Sequence, residues 1–541
     1  MSNRGGHRNP LTSLIGSGDV THERPKPGSA GILKGSSHVH RDQGVGGIVA
    51  QFNATWELLQ DCVGLGCDHE NHLRLPTSVV HMPVDTQRAQ ALSSRIPTDF
   101  VLGFATSSWQ IEGSSHTRGR SIWDDFSETP GKVLDGATAD PACDHLNHIS
   151  EDLDLIRDLG ANSYRFSLSW PRVIPEGTGS VSVSGLDAYD RIVDGVLERG
   201  LTPYATLYHW DLPSALQDKG GWLNPDSHRW FADYVHLVAE HFGDRVDTFA
   251  TLNEPWVSAF LGYAAGIHAP GEKNAAASLE VFYRLMVASG HGIQALKAAG
   301  IKNPGLVLNL TTIIAEDEDV SEQAQLIDGL QNRIFLDLLA GRGLPEDVVD
   351  RTSSITDWSF VNDAGLAVAA EPLTWLGINY YTPTRVASSG ADAGKIVGQG
   401  DSVYPGVSGV NFVPRNPRTA MGWEIHAPSL TSTLITTAER LPGVPLYVTE
   451  NGAACDDVVS EDGIHDGDRV DYYDSHLHAA LDAKDQGVDL RGYFAWSLFD
   501  NLEWAEGWTK RFGVVRVDAG SQKRTPKDSA LFLREVYRSV S

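Results

Sequence analysis

The stretch Leu446-Tyr447-Val448-Thr449-Glu450-Asn451-Gly452 has the pattern of a short buried strand that ends in a carboxylate. Pro445 precedes it, apolar residues alternate along it, and an Asn-Gly turn signal follows Glu450. The pattern therefore predicts that Glu450 stands at the tip of a strand.

A second stretch far upstream repeats this design. Residues 248–256 read Thr-Phe-Ala-Thr-Leu-Asn-Glu-Pro-Trp, so Glu254 also follows a run of strand-forming residues. Two carboxylates at the tips of two strands indicate acid/base or nucleophilic catalysis.

The two tracts TLNEPW and YVTENG, in this order, resemble glycoside hydrolase family 1, the family of retaining β-glucosidases. The resemblance extends from about Ile96 to the C-terminus. It implies an α/β fold with a single (β/α)8 TIM barrel and long βα loops. It also implies that Glu254 is the catalytic acid/base and Glu450 the nucleophile.

The composition fits a small neutral substrate. A net charge of -27 argues against nucleic acid or an anionic membrane as a partner, because their phosphates would be repelled. There is no long apolar run and no secretory signal pattern, so we expect a cytoplasmic location. The four cysteines are too few and scattered for a disulfide framework. The family resemblance implies neither metal nor cofactor, and the oligomeric state stays open.

Residues 1–81 differ in composition from the rest of the chain, and the barrel domain is predicted to span residues 82–541. Gly, Ser, His and turn dipeptides predominate, so we expect mostly disorder up to about residue 95. Met82 is an alternative native start. The segment also contains Cys62, Cys67, His69 and His72, a possible zinc set whose spacing fits structural zinc sites poorly. We interpret these four residues as incidental.

From Phe100 onward, apolar strand-like runs alternate with amphipathic helical runs, which indicates repeated βα units around a parallel sheet. The predicted strands are Val101–Ser107, Ser163–Trp170, Pro203–Trp210, Thr248–Glu254, Gly305–Leu310, Trp375–Tyr381, Leu446–Glu450 and Tyr493–Ser497. The predicted helices are Glu151–Leu159, Leu186–Arg199, Asp226–Phe242, Leu279–Ala299, Ser321–Leu339, Ser429–Leu441, Arg469–Gln486 and Ser529–Val540.

Two further features of the loops lead to expectations. Asn224 and Pro225 are predicted to cap and begin the third helix. The segment from Thr382 to Gly422 is rich in Gly, Ser and Pro, and we expect a βα loop that shapes substrate entry.

The resemblance also implies a set of sugar-binding residues: Gln110, His209, Trp210, Asn253, Tyr381, Trp496, Glu503 and Trp504. A solvated loop is the alternative for Gln110, and core packing is the alternative for His209, Tyr381 and the tryptophans. Arg165 is expected to support catalysis by pairing with Glu450, which favours the ionised carboxylate; the alternative is a salt bridge with another acidic residue. The family further implies a cis peptide bond between Trp496 and Ser497.

The chain departs from the family pattern at a few positions. Ser429 stands where Gly is common, and Cys455 stands where an aromatic residue is frequent. Both are expected to lie in loops that shape the leaving-group side, so they leave open the preferred leaving group rather than the chemistry. Gln331 and Ile334 replace residues that are commonly His and Trp, and we interpret both as packing residues.

Together these observations predict a retaining β-glucosidase that releases terminal non-reducing glucosyl residues from β-glucosides or cello-oligosaccharides, with some galactosidase or fucosidase activity, acting in cellulose and polysaccharide degradation. One alternative is a 6-phospho-β-glycosidase, which we disfavour because a sugar phosphate would be repelled by Glu503. The other is a catalytically silent sugar-binding barrel, whose relatives lose a catalytic glutamate.

Overall fold

The computed structural model describes residues 86–390 and 403–540. The predictions for residues 1–81, including the possible zinc set Cys62, Cys67, His69 and His72, lie outside these ranges. Within them, no helix combines the length and the apolar character that a membrane span requires.

Eight parallel strands close into a barrel, which confirms the predicted fold class. Each strand pairs with its sequence neighbours, and the last strand closes on the first. In chain order the barrel strands are β1 Val101–Ala105, β2 Ser163–Ser167, β3 Thr202–Tyr208, β4 Thr248–Asn253, β5 Asn303–Asn309, β6 Trp375–Asn379, β7 Leu446–Asn451 and β8 Leu490–Trp496. The strands are almost wholly buried because helices cover the outer face of the barrel.

Long helices follow the strands, as the apolar periodicity predicts. They are His145–Asp158, Val183–Glu198, Ser227–Phe242, Ala275–Ala298, Ala427–Arg440, Gly467–Asp485 and Asp528–Val540. The predicted single helix over residues 321–339 is instead two α-helices, Ser321–Asp328 and Ile334–Leu339, joined by a π-helical segment, Gly329–Arg333. Periodicity alone does not reveal such a widened turn.

One other local prediction is wrong. The helix expected to begin at Pro225 begins at Ser227, and the Asn224 side chain accepts a bond from the Asp226 amide in a turn before it. Of the stretch before residue 95, the described part contains the short helix Thr86–Ser93. Its Ala89 and Leu92 are buried, so packing rather than intrinsic helix propensity maintains this short element.

Aromatic side chains fill the barrel interior near the amino ends of the strands. The Tyr204 ring lies 5.0 Å from Phe494 and 5.9 Å from Tyr447, which lies 5.5 Å from Trp375. This cluster, the barrel floor, leaves the carboxyl ends of the strands as the place for a site.

The described parts of the segment from Thr382 to Gly422 contain short strands. Its strands Thr384–Ala387 and Asn411–Phe412 form a small sheet with Ile313–Ala315, while residues 391–402 lie outside the described ranges. Thr382, Thr384, Val403, Tyr404 and Met421 of this segment line the cavity at the carboxyl ends of the strands.

Candidate active site

A cavity of about 390 Å³ opens at the carboxyl ends of the barrel strands. Most of the predicted site residues line its wall: His209, Trp210, Glu254, Tyr381, Glu450, Trp496, Glu503 and Trp504. Arg165, Asn253 and Gln110 are buried behind that wall. The closed barrel therefore brings together residues from distant parts of the chain.

Glu450, at the end of β7, is held at both carboxylate oxygens. Arg165 donates from Nη1 to Oε1 over 2.6 Å, and the Tyr381 hydroxyl donates to Oε2 over 2.7 Å. Arg165 thus pairs with Glu450 as expected, and its Nη2 donates to Asn253 Oδ1 over 2.6 Å. Burial raises the pKa of Glu450, but the positive charge of Arg165 opposes this increase.

Glu254 follows β4 and has no cationic group hydrogen-bonded to it among the described residues. Burial raises the pKa of Glu254 well above its ordinary value, and the nearby Glu450 charge raises it further. Two close carboxyl groups in unlike environments titrate differently. The arrangement therefore favours a protonated Glu254 beside an ionised Glu450.

Asn379, which ends β6 and lies against the acid/base candidate, was not among the predicted site residues. Its Nδ2 donates to Glu254 Oε1 over 2.5 Å and to Asn253 Oδ1 over 3.1 Å. The Thr449 hydroxyl donates to its Oδ1 over 2.7 Å, which fixes the orientation of the amide. Its position at the end of a predicted strand could have indicated a site residue, because the neighbouring strands β5 and β7 also end in polar residues.

Hydrogen bonds among buried residues determine which nitrogen of His209 carries its proton. Asn253 Oδ1 accepts from Arg165, so its Nδ2 faces His209 Nε2 at 3.1 Å. Burial lowers the pKa of His209 well below its ordinary value, and Arg165 adds to this effect. The neutral ring then carries its proton on Nδ1, which has no partner among the described residues and is free to donate to a sugar hydroxyl.

Aromatic rings surround this histidine. His209 stacks against Trp496 and Trp504, with ring centroids 5.9 Å away in each case. The Trp210 indole nitrogen donates to the Asn253 carbonyl over 2.8 Å, which ties β3 to β4. The peptide bond between Trp496 and Ser497 is cis, as predicted.

Gln110 has a different position from the other predicted hydroxyl contacts. Its Nε2 donates to Asn501 Oδ1 over 3.1 Å and to the Leu502 carbonyl over 2.7 Å, while its Oε1 accepts from Ser107. The fully buried amide joins the loop after β1 to the loop after β8. Direct contact of Gln110 with a sugar remains a prediction.

The protonation state of Glu503 bears on whether a phosphorylated sugar would be repelled. Burial raises its pKa to about 8, and the charges of Glu450 and Glu506 contribute, so the side chain is not fully ionised near neutral pH. Its Oε2 is buried and has no partner among the described residues. The full charge on Glu503 that the sequence argument assumed is therefore not supported.

The departures from the family pattern have other locations than expected. Ser429 lies inside the helix Ala427–Arg440 and bonds His426, and neither Ser429 nor Cys455 lines the cavity. Gln331, interpreted as a packing residue, does line it. The π-helical segment contains Gln331 and directs its amide to the end of β5, where it donates to the Asn309 carbonyl over 2.9 Å.

Known proteins share both the fold and this sequence pattern. Beta-glucosidase A of Thermotoga maritima is 41% identical over 82% of this chain and 98% of that protein. A bifunctional β-D-glucosidase/β-D-fucosidase of Bifidobacterium breve is 44% identical over 80% of this chain and 96% of that protein. The crystal structure of a psychrophilic β-glucosidase of Micrococcus antarcticus superposes with a TM-score of 0.78 at 39% identity, covering 83% of this chain and 98% of that one.

A family model described as glycosyl hydrolase family 1 matches residues 92–540, which include the whole barrel. The match covers both glutamate-bearing strand ends and the loop that contains Glu503 and Trp504. The chain therefore belongs to glycosyl hydrolase family 1.

Proposed function

We propose that this protein is a retaining β-glucosidase in which Glu450 is the nucleophile and Glu254 the acid/base. The observation that carries the assignment is the difference between the two carboxyl groups. Glu450 has Arg165 and Tyr381 bonded to its oxygens, whereas among the described residues Glu254 accepts its hydrogen bond from the neutral amide of Asn379. The first environment favours a carboxylate that can attack, and the second favours an acid that can donate a proton.

The reaction proceeds in two displacements. Glu450 attacks the anomeric carbon while the glycosidic C–O bond breaks, and the proton of Glu254 passes to the leaving oxygen, so that the aglycone leaves as a neutral alcohol. Glu254, now a carboxylate, then takes a proton from water as the water oxygen attacks the anomeric carbon. Glu450 is released as a carboxylate, and Glu254 ends protonated.

Glucosides are the favoured substrate class because the similar proteins bear β-glucosidase and 1,4-β-D-glucan glucohydrolase names. The free donor at His209 and the buried Glu503 suit the hydroxyls of an uncharged sugar. β-Glucosides or cello-oligosaccharides are the substrates we propose. Cellulose degradation and a cytoplasmic location remain predictions from the sequence.

A 6-phospho-β-glycosidase remains the rival within the same chemistry. Phosphate recognition uses Arg or Lys side chains, and the described residues that line the cavity include neither. Lys510 lies nearby in sequence but donates to the Ala420 carbonyl over 2.8 Å. We therefore propose free glucosides as substrates because the described cavity wall contains no Arg or Lys. Charge repulsion by Glu503 is not the reason.

The decisive experiment compares Glu254→Ala and Glu450→Ala on aryl β-glucosides whose leaving groups differ in acidity. Glu450→Ala is expected to lose activity on all of them, whereas Glu254→Ala retains activity where the leaving group needs no proton. Glu439→Gln, an exposed glutamate, is the control. Equal losses for every leaving group would contradict the two roles, and a preference for glucoside 6-phosphates would contradict the substrate class.

A further inference from the structure

A second cavity, of about 360 Å³, lies among three helices outside the barrel strands: Ser227–Phe242, Ala275–Ala298 and Asp363–Ala369. Its wall includes His228 and His291, whose rings stack with their centroids 4.9 Å apart. Neither histidine lines the catalytic cavity. Two imidazoles side by side at a cavity are candidate ligands for a transition-metal ion.

Hydrogen bonds beyond His291 determine which of its ring nitrogens is unprotonated. Gln294 Nε2 donates to Glu371 Oε2 over 3.0 Å, so the amide oxygen of Gln294 faces His291 Nδ1 at 3.2 Å. Because an amide oxygen only accepts, Nδ1 carries the proton of the neutral ring, and Nε2 keeps its lone pair. A histidine that ligates a metal ion usually donates its other N–H to an oriented oxygen in this way.

The surroundings of His228 also favour a neutral ring. Burial lowers the pKa of His228, and the charges of the neighbouring histidine and of Arg229 lower it further. The two arginines near the cavity are each paired with a carboxylate, Arg229 with Asp226 over 2.9 Å and Arg284 with Glu280 over 2.5 Å. These carboxylates partly compensate the positive charge that a metal ion would otherwise meet.

The separation of the two rings suits a shared ion. Two nitrogens bound to one Zn²⁺ ion lie at most about 4 Å apart, because each Zn–N bond is about 2.0–2.1 Å long. The centroids of His228 and His291 are 4.9 Å apart, and both side chains are only partly buried, so side-chain rotation brings the two nitrogens within this limit.

We propose that His228 and His291 bind one divalent transition-metal ion through one ring nitrogen each, with water as the remaining ligands. The described residues contain no group of three or more His, Cys, Asp or Glu that could hold a metal ion, so this site is weaker than a four-ligand structural zinc site. The bound ion joins the helices that precede and follow β4 and stabilises the fold. It takes no part in hydrolysis, so the inference is independent of the proposed function.

The test measures the melting temperature of the full chain, first treated with a chelator, with and without Zn²⁺. Saturating Zn²⁺ is expected to raise the melting temperature of the wild type by a few degrees, because an ion that binds the folded state stabilises it. His228→Ala and His291→Ala are each expected to abolish this shift and to weaken the site at least tenfold in a calorimetric titration. His236→Ala is the matched control, because His236 is an exposed histidine of the helix Ser227–Phe242.

Other ions distinguish the chemistry of the site. Mg²⁺ is expected to give no shift, because it takes oxygen ligands whereas imidazole suits Zn²⁺. A Zn²⁺ shift that survives in both histidine variants, or no shift in the wild type, overturns the inference. A shift with inorganic phosphate but not with Zn²⁺ would assign the cavity to an anion and overturns it as well.

Crystals of the wild type soaked in Zn²⁺ provide a check without variants. An anomalous peak within about 2.1 Å of a nitrogen of both His228 and His291 is expected, and a peak on one ring or on neither contradicts the site. Hydrolysis of an aryl β-glucoside by the two alanine variants is expected to equal that of the wild type. Failure of the metal site therefore leaves the β-glucosidase assignment unchanged, and failure of that assignment leaves the metal test valid.

Discussion

The amide of Asn379 is in contact with the proposed acid/base, and one hydroxyl group determines its orientation. Its oxygen accepts from Thr449, so its nitrogen faces Glu254 and Asn253. In Thr449→Val this donor is lost, and the bonds of the amide nitrogen to Glu254 and Asn253 lose the contact that fixes their geometry. Thr449 is therefore a positioning residue that acts through Asn379.

We expect Thr449→Val to lower kcat/KM about tenfold and to move its pH profile to higher pH. The Asn379 bond lowers the pKa of both Glu254 and Glu450, so its loss raises both values. The rising limb reports Glu450 and the falling limb Glu254, so both limbs move in the same direction. A pH–rate profile checks this, and Thr449→Ser is expected to restore the wild-type curve. An unmoved profile would indicate a merely structural role.

Glu503 is expected to lower the stability of the protein near neutral pH. Its pKa is about 8 in the folded protein, above the value of about 4.3 in an unfolded chain, so the unfolded state loses its proton first. Stability from this group is therefore fully present below about pH 4 and falls as pH rises to 8, by about 1.4 kcal/mol per pH unit.

Glu503→Gln is accordingly expected to be more stable than the wild type at pH 7, by up to about 3 kcal/mol, and to lose this advantage near pH 4.5. Hydrolysis is expected to fall, because a proposed sugar contact is changed. Urea unfolding at the two pH values measures the difference, with the exposed Glu439→Gln as the control. The same gain at both pH values would contradict the raised pKa.

At the scale of elements, the end of β7 is packed directly against the end of β8. A Cβ atom added at Gly452 would lie 1.7 Å from the Trp496 carbonyl oxygen and 3.2 Å from the Tyr473 hydroxyl. That hydroxyl donates to the same carbonyl over 3.0 Å. Because backbone atoms meet here, a methyl group must displace one strand end together with Glu450 or Trp496.

Gly452→Ala is therefore expected to destabilise the protein by about 3 kcal/mol and to lower kcat more than a hundredfold, since Glu450 and Trp496 move apart. Gly467→Ala is the matched control, because nothing lies within 4 Å of the Cβ position there. Thermal unfolding and turnover of an aryl glucoside measure the two effects. Wild-type behaviour of Gly452→Ala would show that the contact between the strands is not tight.

The sequence predicted the barrel strands well because each is a local run of buried apolar residues. The predicted Gly305–Leu310 corresponds to β5, Asn303–Asn309, with a shift at each end. The widened turn at Gly329 and the contacts of Gln331 were not predictable in this way. They depend on which side chains meet across the barrel, and neither the hydrophobic periodicity nor the helix propensity of the sequence encodes such contacts.

The same limit applies to the site. Glu254 and Glu450 were predicted as site residues because short motifs mark them, whereas Asn379 was not, although it lies within the predicted strand Trp375–Tyr381. Its importance comes from the neighbours Thr449 and Glu254 on two other strands. Nothing within its own strand indicated that its amide would contact the carboxyl group of the proposed acid/base Glu254.

At the scale of the whole molecule, the helix Thr86–Ser93 is the first described element that packs against the barrel domain. Ala89 and Leu92 are fully buried, and the helix packs on Asp528–Val540. Arg88 pairs with Asp471 and Asp474 of a second helix over 2.8 and 2.9 Å. Residues upstream of Met82 lie outside the matched family range.

A chain that starts at Met82 is therefore expected to keep the kcat/KM and the melting temperature of the full chain. A chain that starts at Ile96 loses the buried helix, and its melting temperature is expected to fall by several degrees, since ΔΔG values of 1 kcal/mol shift large domains by about 2–4 °C. Thermal unfolding and aryl glucoside turnover of the two truncations measure this. Loss of turnover on removing residues 1–81 would show that this segment contributes to activity.

The barrel floor formed by Tyr204, Trp375, Tyr447 and Phe494 determines how substrate and product enter and leave the site. With the barrel filled beneath the catalytic groups, arrival and departure share the mouth at the carboxyl ends of the strands. For the cello-oligosaccharides proposed as substrates, the non-reducing end enters first, and the shortened remainder leaves through the same mouth before the released glucose. The oligosaccharide cannot slide further into the barrel after a bond has been cleaved. Each cleavage of the proposed substrate therefore requires a new binding event.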